Sequence, residues 1–169
     1  DRIKFRSNFT FTGYPSVKEK NEIEGKSITA LCFDAKDNLW IGTYNQGIYL
    51  LNEEEKTLKH FSFSKEQNLN HADFILSIYS DSKNNIWIGT YGGVYQFDLL
   101  TEKFKSYMQN QNNPTGLSNN YVYSILEDRR GNIWFGTASG LNRFELKTNS
   151  FRHFYQQDGL PSDVIFGIV

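Results

Sequence analysis

Apolar and polar positions alternate over short stretches of this chain, and the same alternation returns three times. The segments ITALCFD (28–34), ILSIYSD (75–81) and VYSILED (122–128) are rich in β-formers and repeat with a period of two, which predicts strands. A polar turn follows each, AKDN, SKNN or RRGN, and then a second predicted strand: LWIGT (39–43), IWIGT (86–90) or IWFGT (133–137). A third strand is predicted at IYLLN (48–52), VYQFD (94–98) and LNRFE (141–145), and a fourth begins at Leu58, Phe104 and Phe151. Trp40, Trp87 and Trp134 stand at a constant spacing of 47 residues, each inside a copy of one phrase: DAKDNLWIGT, DSKNNIWIGT and DRRGNIWFGT. A self-similar period of that length is the signature of a repeat architecture.

Four short antiparallel strands per repeat make the blade of a β-propeller. The expected fold is all-β: a partial β-propeller with four-stranded antiparallel blades at 28–74, 75–121 and 122–163. Residues 1–27 are expected to hold the last strand of a preceding blade (SNFTF, 7–11) and a linker. Residues 164–169 are expected to be the first strand of a following blade, because GLPSDVIFGIV (159–169) overlays GLSNNYVYSIL (116–126) without a gap. Closed propellers need about 4–8 blades. The chain is therefore expected to be a piece of a longer propeller, with partners among its remaining blades or self-association through open blade faces.

Comparing the repeats assigns structural roles. The third position of the first turn is Asp37, Asn84 or Gly131, the residue types that best tolerate positive φ, so a left-handed residue is expected there. Gly42, Gly89 and Gly136 leave no side chain where another segment approaches closely. Asp34, Asp81 and Asp128 are expected to cap the turn, and the three tryptophans to pack between blades.

Composition narrows the function. Aromatic residues reach 16%, which suits strands, whereas a net charge of −1 without a basic stripe argues against nucleic acid as a partner. No apolar run reaches the length of a membrane span, so no membrane contact is expected of this segment. Cys32 is the only cysteine and is expected to be a small buried apolar residue. The acidic turns lack the spacing of a calcium loop, so neither metal nor cofactor is expected.

The phrase VYSILEDRRGNIWFGTASGL (122–141), its two earlier copies, and the linkers DGLPSD (158–163) and TGLSNN (115–120) resemble the two-component regulator propeller repeat. The resemblance covers roughly residues 28–169. It implies a periplasmic sensor region of a membrane-anchored hybrid two-component protein. In such proteins a β-sandwich, a membrane span, a histidine kinase and often a regulator domain follow. It also implies inputs that are mostly oligosaccharides, sensed by binding and not by reaction.

In a propeller, the fourth-to-first linkers and the second-to-third loops share one face. The linkers vary most among these repeats, and binding concentrates on loops held by a rigid scaffold. Amides, carboxylates and tyrosines suit sugar recognition. The candidate ligand-binding residues are Tyr44, Asn45, Gln46, His71, Asp73, Tyr91, Asn119, Asn120 and Tyr121. The expected function is non-catalytic recognition of an oligosaccharide or other small ligand. A protein-interaction scaffold is the alternative, and a propeller lyase or hydrolase a weaker one. His60, His71 and His153 stand apart, no nucleophile motif is present, and no catalytic residue is assigned.

Overall fold

Each repeat folds as one sheet, because its alternating segments can bury one face only against a neighbouring repeat. The computed structural model describes residues 23, 25–52, 54–55, 57–63 and 71–169. The first blade comprises β1 (Ile28–Phe33), β2 (Leu39–Thr43), β3 (Ile48–Asn52) and β4 (Thr57–Phe61). The second comprises β5 (Ile75–Ser80), β6 (Asn85–Thr90), β7 (Gly93–Asp98) and β8 (Lys103–Tyr107). The third comprises β9 (Val122–Glu127), β10 (Ile133–Thr137), β11 (Leu141–Glu145) and β12 (Ser150–Phe154). In all three, consecutive strands pair antiparallel in sequence order. The fourth strands start one residue earlier than the alternation suggested, at Thr57, Lys103 and Ser150.

The expected strand at 7–11 lies outside the described residues. Residues 164–169 follow the path of a first strand, with Ile165 N donating to Thr137 O at 2.9 Å. They join no sheet, since a strand is defined by a ladder partner and this segment has none.

The first strands are neighbours: β5 lies against β1 and β2, and β9 against β5 and β6. This places them on the inner side of the blade array. The seams between blades form two aromatic cores. Trp40 (0% exposed) meets the ring of Phe97 of the second blade at 5.0 Å. Trp87 (1% exposed) meets Phe135 and Phe144 of the third at 5.4 and 5.3 Å. Trp134 is half-buried and packs against Phe154 of its own blade. Cys32 is also half-buried instead of fully buried: on the face opposite the exposed Leu31 and Phe33, the thiol only edges onto the first core. That partial burial still pushes the thiol pKa up.

The turn between first and second strands is built around one carboxylate. In the second blade, Asp81 Oδ1 accepts the backbone N–H groups of Lys83 and Asn85 at 2.9 and 2.8 Å. Its Oδ2 accepts Asn85 Nδ2 and Trp87 Nε1, both at 2.8 Å. Asp34 and Asp128 make the same four contacts, to Lys36, Asn38 and Trp40 and to Arg130, Asn132 and Trp134. The turn needs a left-handed residue, and Asp37, Asn84 and Gly131 supply it with φ of 59°, 66° and 78°. One motif thus satisfies the indole that fills the core and fixes the turn that leads to it.

Asp128 gives this motif a pH signature. The Asn132 side chain foremost, then the Trp134 indole, hold its carboxyl well below the usual carboxylate range. Asp98, bonded by the backbone N–H groups of Thr101 and Leu100, is lowered as well. A carboxyl depressed below its unfolded value of about 3.9 contributes stability above that pH and loses it as pH falls through the folded value. Denaturation midpoints should therefore fall as pH drops from about 5 to about 2.5, and Asp128→Asn should flatten that fall. An identical pH slope in the variant would contradict this role for Asp128.

Candidate functional site

The linker leaving each of the three blades is clasped back to that blade. Asp73 Oδ1 accepts Phe63 N–H at 2.6 Å, Asn120 Oδ1 accepts Gln109 N–H at 2.7 Å, and Asp163 Oδ1 accepts Gln156 N–H at 2.6 Å. The backbone carbonyls of the same three residues accept Gly47, Gly93 and Gly140 N–H groups. Thr43, Thr90 and Thr137 turn their hydroxyls onto the carbonyls of those glycines. Second-to-third loops and fourth-to-first linkers are thereby locked on one face. Asp73, 7% exposed, and Asn120 spend their side-chain oxygens on this clasp. Alignment back from the first strands held the signal: an oxygen-bearing side chain stands two positions before Ile75, Val122 and Ile165 alike.

The clasp carries a strip of rings across that face. Tyr44 meets Phe74 edge-on at 4.7 Å, Phe74 meets Tyr91 at 5.7 Å, and Tyr91 meets Tyr121 edge-on at 5.0 Å. His71, left-handed with φ of 76°, lies against Phe74 at 5.5 Å. The structure therefore brings together four of the nine sequence candidates, Tyr44, His71, Tyr91 and Tyr121. Phe74, at the position equivalent to Tyr121, joins them and was not among the candidates. Tyr44 and Tyr121 are 54% and 46% exposed, so the strip presents ring surface to solvent.

Three polar candidates flank it. Asn45 is exposed and left-handed, with φ of 66°. Gln46 accepts the Lys26 ammonium on Oε1, and its carbonyl accepts His60 Nε2–H at 2.7 Å. Asn119 Oδ1 accepts the Tyr121 N–H at 2.9 Å and so fixes the backbone that carries this ring. His60 stacks on Tyr49 at 4.3 Å, and His153 Nε2 donates to Gly116 O at 2.7 Å. Both histidines hold loops in place. Among the described residues no group of His, Cys, Asp or Glu is arranged to hold a metal ion. No helix among them is long and apolar enough to cross a membrane.

Three consecutive four-stranded sheets, seamed by buried tryptophans and side by side along their first strands, define an array of β-propeller blades. The family model for the two component regulator propeller matches residues 22–45, 68–92 and 116–139, once in each repeat. The chain belongs to the two-component regulator propeller family.

Solved structures carry the same fold. The extracellular domain of BT3049 from B. thetaiotaomicron, described as a hybrid two component system, aligns with a TM-score of 0.73 at 20% identity, over 83% of this chain and 20% of that one. The extracellular domain of BT4673 from the same organism aligns with a TM-score of 0.68 at 21% identity, over 85% and 21%. Virginiamycin B lyase from Staphylococcus aureus aligns with a TM-score of 0.60 at 15% identity, over 81% and 42%. The chain spans about a fifth of the length of the first two. No curated protein sequence matches it.

Proposed function

We propose that these blades form a non-catalytic, ligand-binding part of a periplasmic two-component sensor, and that the ligand is an oligosaccharide. The observation that carries this reading is the ring strip Tyr44–Phe74–Tyr91–Tyr121, flanked by Asn45, Gln46 and Asn119. Sugar rings present apolar C–H faces and a rim of hydroxyls, which aromatic surfaces and planar amides match. The strip rests on clasped loops whose geometry is fixed before binding, so little ordering cost opposes association. Family membership and the likeness to extracellular domains support the sensor role and the location. His60 and His153, committed to backbone carbonyls, support binding without chemistry. Binding would favour one of two states of the intact sensor and so bias its output.

Exposed tyrosines also suit a protein partner, and a scaffold is the second reading. A thermal-shift screen of the intact protein against oligosaccharides separates the two. A ligand at a hundred times its Kd adds about 2.7 kcal/mol of stability. Stabilisation by one glycan class is the expected result. No shift with any glycan would overturn the oligosaccharide reading in favour of the scaffold.

A further inference from the structure

The linker joining the second and third blades is thirteen residues long, QNQNNPTGLSNNY (109–121), against nine for QQDGLPSDV (156–164). The additional length is folded and anchored at both ends. Gln109 N–H is held by Asn120 Oδ1. Thr115 O accepts Phe151 N–H at 2.8 Å, on the outer edge of β12, and Gly116 O accepts His153 Nε2–H. Ser118 N–H donates to the buried Asn142 Oδ1 at 2.9 Å. Between these anchors, Asn110 and Asn113 close successive turns through their own side chains.

The arch so formed encloses an open cleft of about 640 Å³ against the outer strands β8 and β12. Its volume lies within the roughly 300–1,000 Å³ of small-ligand sites. Not one lining residue is charged. Six carry primary amides, namely Gln109, Gln111, Asn112, Asn149 and the two turn-closing asparagines. Tyr107 and Phe151, 8% and 5% exposed, contribute the aromatic part of the wall. Tyr107 is fixed by bonds from its hydroxyl to Gln96 and Asn149, and burial pushes its pKa up to about 12, so it remains a neutral phenol. Among the described residues, the side chains of Gln109, Gln111 and Asn112 make no hydrogen bond within the chain.

We propose that this cleft is a second binding subsite, separate from the ring strip, for an uncharged sugar unit. The proposal rests on the oligosaccharide reading above and specifies the ligand further. A primary amide donates and accepts in one plane, as a pair of adjacent hydroxyls requires. The nearest charge, the Lys105 ammonium, is already spent on Asn149 Oδ1 at 2.5 Å and lies 5.0 Å from the centre of the Tyr107 ring, and an amine taken into this wall would find no carboxylate to offset its desolvation.

The test is calorimetric titration of the intact protein with uncharged tetrasaccharides of glucose, xylose and mannose, and with tetragalacturonate as the charged counterpart. Three proteins are compared: wild type, Gln111→Ala/Asn112→Ala in the cleft, and Tyr44→Ala/Tyr121→Ala on the strip. An uncharged tetrasaccharide should bind wild type, and the cleft variant should bind it at least about tenfold more weakly while its ligand-free Tm is unchanged. Unchanged affinity in the cleft variant overturns the subsite, whatever the strip variant does, and leaves the oligosaccharide reading standing. Tighter binding of tetragalacturonate overturns the assignment to an uncharged sugar. Binding of no tetrasaccharide to wild type overturns the subsite and the oligosaccharide reading together.

Discussion

Asp81→Ala is expected to destabilise the protein by about 3–5 kcal/mol, because each buried donor left without an acceptor costs roughly 1–3 kcal/mol. The carboxylate holds four donors, of which the Trp87 indole Nε1 is buried and Asn85 Nδ2 partly so. A loss of that size would lower Tm by roughly 10 °C in a domain of this length. Asp81→Asn keeps an acceptor oxygen for the turn and should lose less. Asp128→Ala supplies an internal comparison. It breaks the same four bonds, but Trp134 is half-buried and water replaces part of what is removed. Chemical denaturation of the three variants checks the order, and a stability for Asp81→Ala equal to wild type would sink the assigned role.

The second large effect is expected at Gly89. It pairs with Ser77 across the sheet, beside a register shift that recurs in the first strand pair of every blade. A Cβ on Gly89 would stand 2.4 Å from Ser77 Oγ, 2.7 Å from the carbonyl oxygen of Val122 and 2.9 Å from Val122 Cγ1. Val122 opens the first strand of the next blade, so the glycine sets how closely two blades approach. The hydroxyl can rotate away, but the carbonyl belongs to a paired strand. Gly89→Ala is expected to cost about 2–3 kcal/mol, the scale of overpacking in a rigid core. Gly136 meets Ser124 Oγ and the Ile165 carbonyl oxygen at 2.4 and 2.6 Å, and its substitution should act in the same direction. A neutral Gly89→Ala in equilibrium unfolding would show that the seam is looser than this packing implies.

The fold was largely legible because each blade repeats the same local physics. Strand alternation, a turn residue with positive φ and a glycine under the next blade are signals within a few residues of one another. The site was less legible because its organisation is carried by bonds between segments. Asp73 and Asn120 have the chemistry of sugar-binding residues, yet their oxygens tie linker to blade. Phe74 has no polar tip to mark it in the sequence, yet it is the ring that connects Tyr44 to Tyr91. Cys32 sat at an apolar-looking position, and only the direction of its strand shows how shallow that position is. The amide cleft depends on where Thr115 and Gly116 dock on β12, a pairing without any local sequence signature.

Oligosaccharide recognition by the clasped face is the central claim to test. The most direct measurement repeats the thermal-shift screen on wild type beside Tyr44→Ala/Tyr121→Ala, two exposed rings whose removal should leave the ligand-free Tm unchanged. One glycan class should stabilise wild type by about 2.7 kcal/mol at a hundred times its Kd, and the same concentration should give a clearly smaller shift in the variant. Equal stabilisation of both proteins would remove the strip from recognition, and stabilisation of neither would contradict the oligosaccharide reading at its centre.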